Sequence, residues 1–406
     1  MLSNELDITE VLQRFDALKF ETGNIETIAK MAKVKPMQPF SEQVISFLND
    51  LAKLLMKSGK EYSDVATFGF WCRKSAILRE KGNYDDIDSR LGRGVVFHST
   101  PSNVPVNFAF SFAAGLLAGN ANIVRLPGKP FEQVTIICQA INELLMSAHS
   151  SLKSYICMLK YPPVKEITDV FSSICDTRVV WGGDGTINEM RMSPLKPRAT
   201  EITFADRYSI AVINADEYLK TADKDAVTQN FYNDTYFSDQ NACTAPRILI
   251  WLGKNKELAQ NEFWSRITKA AADKYAIKPV QAVGKLHATY KVAACLKISK
   301  VYKQNSFVTR LKVHELTADL IKFKYNSGFF FEYDAENWKE ITPVCDERCQ
   351  TLTYFGFSKG EVRNFLHANP IRGVDRAVPL GKSMDFTLVW DGYDLIRSLS
   401  RKVSLV

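Results

Sequence analysis

The 406-residue chain has no apolar run long enough to cross a bilayer: its most hydrophobic segment, VPVNFAFSFAAGLLAG at 104–119, is too short and too interrupted. The N-terminus, MLSNELDITE, is acidic and has no signal-peptide core. The eight cysteines follow no even spacing, which argues against a disulfide framework. Cys345 and Cys349 have neither a second cysteine pair nor a nearby histidine pair to complete a zinc site. Reduced thiols and a cytoplasmic address are the expectation. There is no internal repeat, no low-complexity segment and no dense basic block. The net charge of +7 suits an anionic small substrate better than nucleic acid. With 46% hydrophobic and 24% charged residues, the composition is that of a globular protein with two or three lobes.

What is present is an alternation of helical and extended patterns. From Ser41, apolar residues at Val44, Ile45, Leu48, Leu51 and Leu55 recur at helical spacing, with Gly59 as a stop. An aromatic-rich helix follows, with Phe68, Phe70, Trp71 and Leu78, and then a polar connector over 81–93. GVVFHS reads as a buried strand, TPSNVP as a rigid turn, residues 106–119 as a small-residue helix and NANIVRLP as a second strand: one βαβ unit. A helix near 131–149, an apolar piece near 155–160 and the strand TRVVWGGDGTI extend the pattern to a doubly wound parallel sheet. Such sheets bind nucleotides at the carboxyl ends of their strands, where the TPSN and GGDG turns fall. YSIAVINA (208–215) reads as another strand, 257–275 as an amphipathic helix, and 290–335 as several short strands with hairpin-like spacing, including a hairpin around Asn326-Ser327-Gly328. The expected domains are a helical segment 1–90, a nucleotide-binding domain 91–215, a catalytic domain 216–370, and a C-terminal segment 371–406 returning to the nucleotide-binding domain or an interface.

The stretch FYNDTYFSDQNACTAPR (231–247) is the candidate site of chemistry. Cys243 lies in a polar, turn-forming run directly ahead of RILIWL, a buried strand. A thiol on such a loop is both exposed and rigidly held, as a nucleophile must be. A half-buried structural cysteine has the same local signature.

Six segments, in order, carry a resemblance: TPSNVP, LAGNANIVRLP, WGGDG, SDQNACTAPR, QTLTYFG and RGVDRAVPLG…VWDGYDL. From about Phe70 to the C-terminus the chain resembles the long-chain acyl-CoA reductases, the reductase subunits of the bacterial bioluminescence fatty-acid reductase and their relatives, which are similar to the aldehyde dehydrogenase superfamily. The resemblance implies an α/β fold with a Rossmann-type nucleotide-binding domain and an α/β catalytic domain. It implies an acyl thioester substrate, acyl-CoA or acyl-protein, an acyl-cysteine intermediate at Cys243, and hydride from NADPH to give an aldehyde. Asn103 matches the oxyanion-donating asparagine; such a donor is worth about 2.7–4 kcal/mol in the transition state. Arg125 matches the position beside the adenosine ribose, where arginine suits a 2′-phosphate. Gly182, Gly183 and Gly185 match the glycine turn beside the pyrophosphate, and Glu347 falls near the carboxylate that holds the nicotinamide ribose. No metal is implied. A separate acyl-transferring partner enzyme and a homo-oligomer are consistent with the resemblance, although the dimerising β-hairpin of the superfamily has only the connector 81–93 to occupy.

The sequence departs from the hydrolytic dehydrogenases in one respect. Their glutamate base has no counterpart in register; ATEITFADRYS offers Glu201 nearby. Reduction of a thioester needs no activated water, so the absence fits, but the acid for the leaving thiolate is left open, with His98 as one choice and a buried core histidine as the alternative. A second likeness is local: GGDGT at 182–186 is close to the signature of diacylglycerol and NAD kinases, where Asp184 would work near the transferred phosphoryl group. That kinase reading is the alternative function.

Overall fold

The structure is a computed structural model and describes residues 8–101, 104–303 and 305–404. It divides into two units, residues 1–205 with 386–406, and residues 206–385.

The first unit is built on β1 (Lys19–Thr22), β2 (Arg90–Gly92), β3 (Val95–Ser99), β4 (Ala121–Arg125), β5 (Ile156–Lys160), β6 (Thr177–Trp181) and β7 (Thr200–Phe204). Six of these form a sheet in the order β1-β5-β4-β3-β6-β7, parallel except for the edge strand β1. Both faces are covered, which is why GVVFHS and its neighbours read as unbroken apolar runs. Successive residues alternate between two cores: Val96, Val124 and Val179 on one side, Val95, Phe97 and Ile123 on the other. The first core also takes in Val44, Leu48 and Leu55 from the helix Glu42–Ser58. The connector before β3 is not all coil: it supplies β2, which pairs with the C-terminal strand Ser400–Lys402.

The second unit contains β8 (Tyr208–Asn214), β9 (Pro246–Leu252), β10 (Ile298–Lys303), β11 (Thr309–Val313), β12 (Phe329–Asp334), β13 (Cys349–Phe355) and β14 (Arg376–Pro379), ordered β10-β11-β12-β9-β8-β13-β14. All pairings are parallel except β10 with β11. Again two cores sandwich the sheet, with Ile210, Val212 and Ile250 on one face and Ala211, Ile213 and Trp251 on the other.

Three expectations are corrected. YSIAVINA does not extend the first sheet; β8 lies between β9 and β13 in the second, so the units divide ahead of it rather than at 215. Parallel strands buried on both faces are equally apolar in either sheet, so pattern alone did not assign it. The hairpin around Asn326 is absent: Ser327 (φ 62°) and Gly328 (φ 82°) turn the chain into β12, whose neighbours β11 and β9 run parallel to it. The return to the first unit begins at Phe386 rather than 371, because Arg376–Pro379 is the edge of the second sheet; Phe386 packs with Phe110, Trp71 and Trp390.

Candidate functional site

The helix Lys224–Thr235 ends in a short turn, Tyr236–Ser238, and the next two residues are both left-handed, Asp239 at φ 51° and Gln240 at φ 52°. A non-glycine residue pays a steric cost there, so something must hold the pair. The Gln240 side chain is fully buried. Its amide oxygen accepts from the backbone N–H of Gly328 (2.8 Å) and Phe329 (3.2 Å), and its amide nitrogen donates to the carbonyls of Pro246 (3.3 Å) and Phe329 (3.4 Å). Asp239 accepts from the Tyr275 hydroxyl and from Gln281 (2.9 Å).

Cys243 follows, half-buried, at the amino end of β9. Its carbonyl accepts from Ser209 Oγ at 2.7 Å, and the Ser209 hydroxyl in turn accepts from the Thr351 N–H at 3.3 Å. The loop is thereby stitched to β8 and, through the Ser209 hydroxyl, to β13. Thr244 is buried and its hydroxyl reaches Met384 Sδ at 3.3 Å. Met384 is held in place in turn by Asp234, which accepts from Gly381 N–H (2.6 Å), Ser383 N–H (3.0 Å) and Ser383 Oγ (2.8 Å); burial pushes its carboxyl up to about 6 against those donors.

Arg247, the first charged residue of β9, is buried beneath the loop. It donates to the carbonyls of Gln240 (2.5 Å) and Tyr325 (3.0 Å) and to Asn326 Oδ1 (2.9 Å). Burial pulls its pKa down, and Asp206, Cys243 and Asp239 oppose that. A fixed cation therefore lies within electrostatic reach of the Cys243 sulfur. Behind the same turn, buried Lys285 donates to the carbonyls of Ser306 (2.5 Å) and Ser327 (2.7 Å); burial pulls it down to about 8, with Asp239 acting in the other direction.

Glu347 is exposed on the turn before β13. β9, β8 and β13 are parallel neighbours, so Cys243 and Glu347 occupy the same, amino, end of the second sheet, with Ser209 on the strand between them. Two strand spacings separate β9 from β13, about 10 Å.

In the first unit, Arg125 ends β4 and the glycine turn follows β6, both at the carboxyl end of the sheet. β3 lies between those strands, and the order of connections reverses there, which makes this end the topological switch point. The Arg125 guanidinium lies 4.4 Å over the Tyr161 ring and donates to the Tyr161 carbonyl at 3.3 Å. Gly183 caps the helix Asp184–Arg191, and a Cβ on Gly183 or Gly185 would meet nothing within 4 Å, whereas one on Gly182 would press on Thr186 at 3.0 Å. Open space at a helix N-terminus fits a dinucleotide phosphate. Asn103 lies outside the described residues.

Two other candidates have structural roles. His98 is fully buried, its ring nitrogens bonded to Ser111 Oγ (2.8 Å) and Asn122 Oδ1 (3.0 Å), and burial pulls it down to about 4. Glu201 is engaged by Arg178 (2.5 Å) and Arg191 (2.8 Å). Sequence reasoning missed Ser209, Gln240, Arg247 and Met384 as supports of the cysteine. The usable signals were small: a lone serine in YSIAVIN, and an arginine at the head of an apolar run.

A family model described as acyl-CoA reductase (LuxC) matches residues 8–317. A long-chain acyl-protein thioester reductase of Aliivibrio fischeri is 24% identical over 183 residues, which is 44% of this chain and 36% of that relative, so the match spans about a third of the relative's length. Among solved structures, an NAD-dependent benzaldehyde dehydrogenase from Corynebacterium glutamicum superposes with a TM-score of 0.63 at 14% identity, covering 93% of this chain and 87% of that one. A Thermus thermophilus 1-pyrroline-5-carboxylate dehydrogenase gives 0.60 at 14% identity, covering 94% and 85%. The fold is that of the aldehyde dehydrogenases.

Proposed function

Because the chain belongs to the acyl-CoA reductase (LuxC) family, we propose that it reduces an acyl thioester, acyl-CoA or acyl-protein, to an aldehyde, with Cys243 carrying the acyl group. The observation that supports this most directly is the Cys243 loop: its backbone and neighbours are fixed by Ser209, Gln240 and Arg247, and a buried cation lies near the sulfur. Attraction between a guanidinium and a sulfur favours the thiolate, the nucleophilic form.

In this reading the Cys243 thiolate attacks the thioester carbonyl carbon and a new C–S bond forms. The oxyanion is held by Asn103 and the Cys243 backbone N–H; it collapses, the bond to the original sulfur breaks, and that thiolate departs to take a proton from water. Cys243 then holds the acyl carbon for reduction and leaves as thiolate when the aldehyde is released. NADPH, when bound, supplies the hydride. Arg125, the glycine turn and Glu347 are the residues assigned to hold it, with Arg125 directed to the 2′-phosphate. The GGDGT likeness to kinases is confined to the turn after β6 and the first turn of the helix Asp184–Arg191.

Intact-mass measurement after incubation with acyl-CoA, without cofactor, tests the reading. One acyl adduct is expected, and none on the Cys243→Ala variant. An adduct that persists in that variant, or no adduct on the parent with either acyl-CoA or an acyl-protein, would overturn it.

A further inference from the structure

The helix Pro279–Cys295 carries its large apolar side chains facing outward. Its buried face consists of Lys285, Ala288 and Val292. On the opposite face Val280, Val283 and Tyr290 are 69%, 67% and 66% exposed, with Leu286 beside them. Steps of three, three and four residues place these four on one stripe. The chain then enters β10, the edge strand of the second sheet, where Val301 is also exposed.

The charge of this region is one-sided. Although it holds no run of consecutive basic residues, not one Asp or Glu occurs between Asp273 and Glu315. Lys278, Lys291, Lys297 and Lys300 are exposed along the helix and the edge strand. The Lys291 ammonium group lies 5.7 Å from the ring centroid of Phe323, whereas Lys300 stacks on Tyr302 on the other face of the sheet.

We propose that the Pro279–Cys295 helix and β10 form a surface that rests on an anionic lipid bilayer. An exposed stripe of separate valine, leucine and tyrosine side chains with lysine beside it is the pattern of an interfacial helix, whose apolar side enters the headgroup layer. Lysine stems reach along such a layer while their ammonium groups pair with lipid phosphates. A protein partner of standard affinity would instead be met by an interface core depleted of lysine. The inference is independent of the reaction assigned to Cys243.

The test is co-sedimentation of the full chain with vesicles of mixed phosphatidylcholine and phosphatidylglycerol, and with vesicles of phosphatidylcholine alone. Binding is expected to the mixed vesicles, at least about tenfold tighter than to the neutral ones, and to weaken with salt. Lys291→Gln should lower affinity for mixed vesicles by about fivefold. Val283→Asp should abolish it while leaving the thermal unfolding midpoint unchanged, since the position is exposed. Equal binding to both vesicle types, no binding to the mixed vesicles, or full binding by Val283→Asp would overturn the proposal. Self-association of the parent that Val283→Asp disperses would also overturn it, by assigning the stripe to a second copy of the chain.

Discussion

Ser209 Oγ lies 2.7 Å from the Cys243 carbonyl oxygen and 3.3 Å from the Thr351 backbone nitrogen, so a single hydroxyl ties the cysteine loop to the strand that begins beside Glu347. Removing it strands a carbonyl and an N–H in a buried setting. Ser209→Ala is expected to cost about 1–3 kcal/mol of stability. Because the carbonyl it holds belongs to Cys243 itself, the rate of acyl transfer to the enzyme should fall about tenfold or more, with the Michaelis constant for cofactor unchanged. Urea unfolding and single-turnover acylation check the two parts.

Gln240 permits a separation of backbone strain from side-chain bonding. Gln240→Ala and Gln240→Gly lose the same buried amide bonds, and both should be destabilised by about 2–4 kcal/mol. Only glycine relieves the positive φ, so the glycine variant should be the more stable of the two by about 1 kcal/mol. Equal urea midpoints would show that the left-handed backbone at this residue is not strained.

Lys285 should shape the alkaline stability of the protein. Burial pulls its pKa in the fold to about 8, below the ordinary value of 10.5. Between those two pH values the unfolded chain binds more protons than the folded one, so stability rises with pH across that window. The penalty for holding the charged form is fully present below about pH 8 and amounts to at most about 3 kcal/mol. Lys285→Met should flatten the rise, measured as urea midpoints from pH 7 to 10.

Arg125→Ala tests the cofactor assignment. If the guanidinium contacts a 2′-phosphate, the variant should lose about tenfold or more in kcat/KM with NADPH and change little with NADH. Parallel losses with both would assign Arg125 only to the packing of Tyr161.

Much of the scaffold was legible in the chain. β3, the helix Asn107–Leu117, β4 and the turn after β6 fall where the alternation of apolar runs and turns placed them, because each run is long enough to fill one strand buried on both faces. Which sheet a run joins was not legible, since that depends on partners far along the chain; β8 is the example. The cysteine was conspicuous because it breaks a polar turn ahead of an apolar strand. Its supports were not. Gln240 reads as one more turn residue and Arg247 as a strand end, and only their pairing across to Gly328 and Asn326 reveals that they hold the loop. The buried Arg310–Glu332 pair, joined by the Trp251 and Trp264 indoles, was equally invisible, because residues distant in sequence satisfy one another only after folding.

The distribution of thiols has a practical consequence. Cys72, Cys138, Cys157, Cys175, Cys345 and Cys349 are enclosed, and burial pushes Cys138 and Cys175 up to about 12; Cys243 is half-buried and Cys295 exposed. Toward a mild alkylating reagent, a chain with eight thiols should therefore behave as though it had two. Replacing Cys295 with serine would leave one addressable position, so that a fluorophore or crosslinker attached there reports on the Cys243 loop alone, without removing any other cysteine.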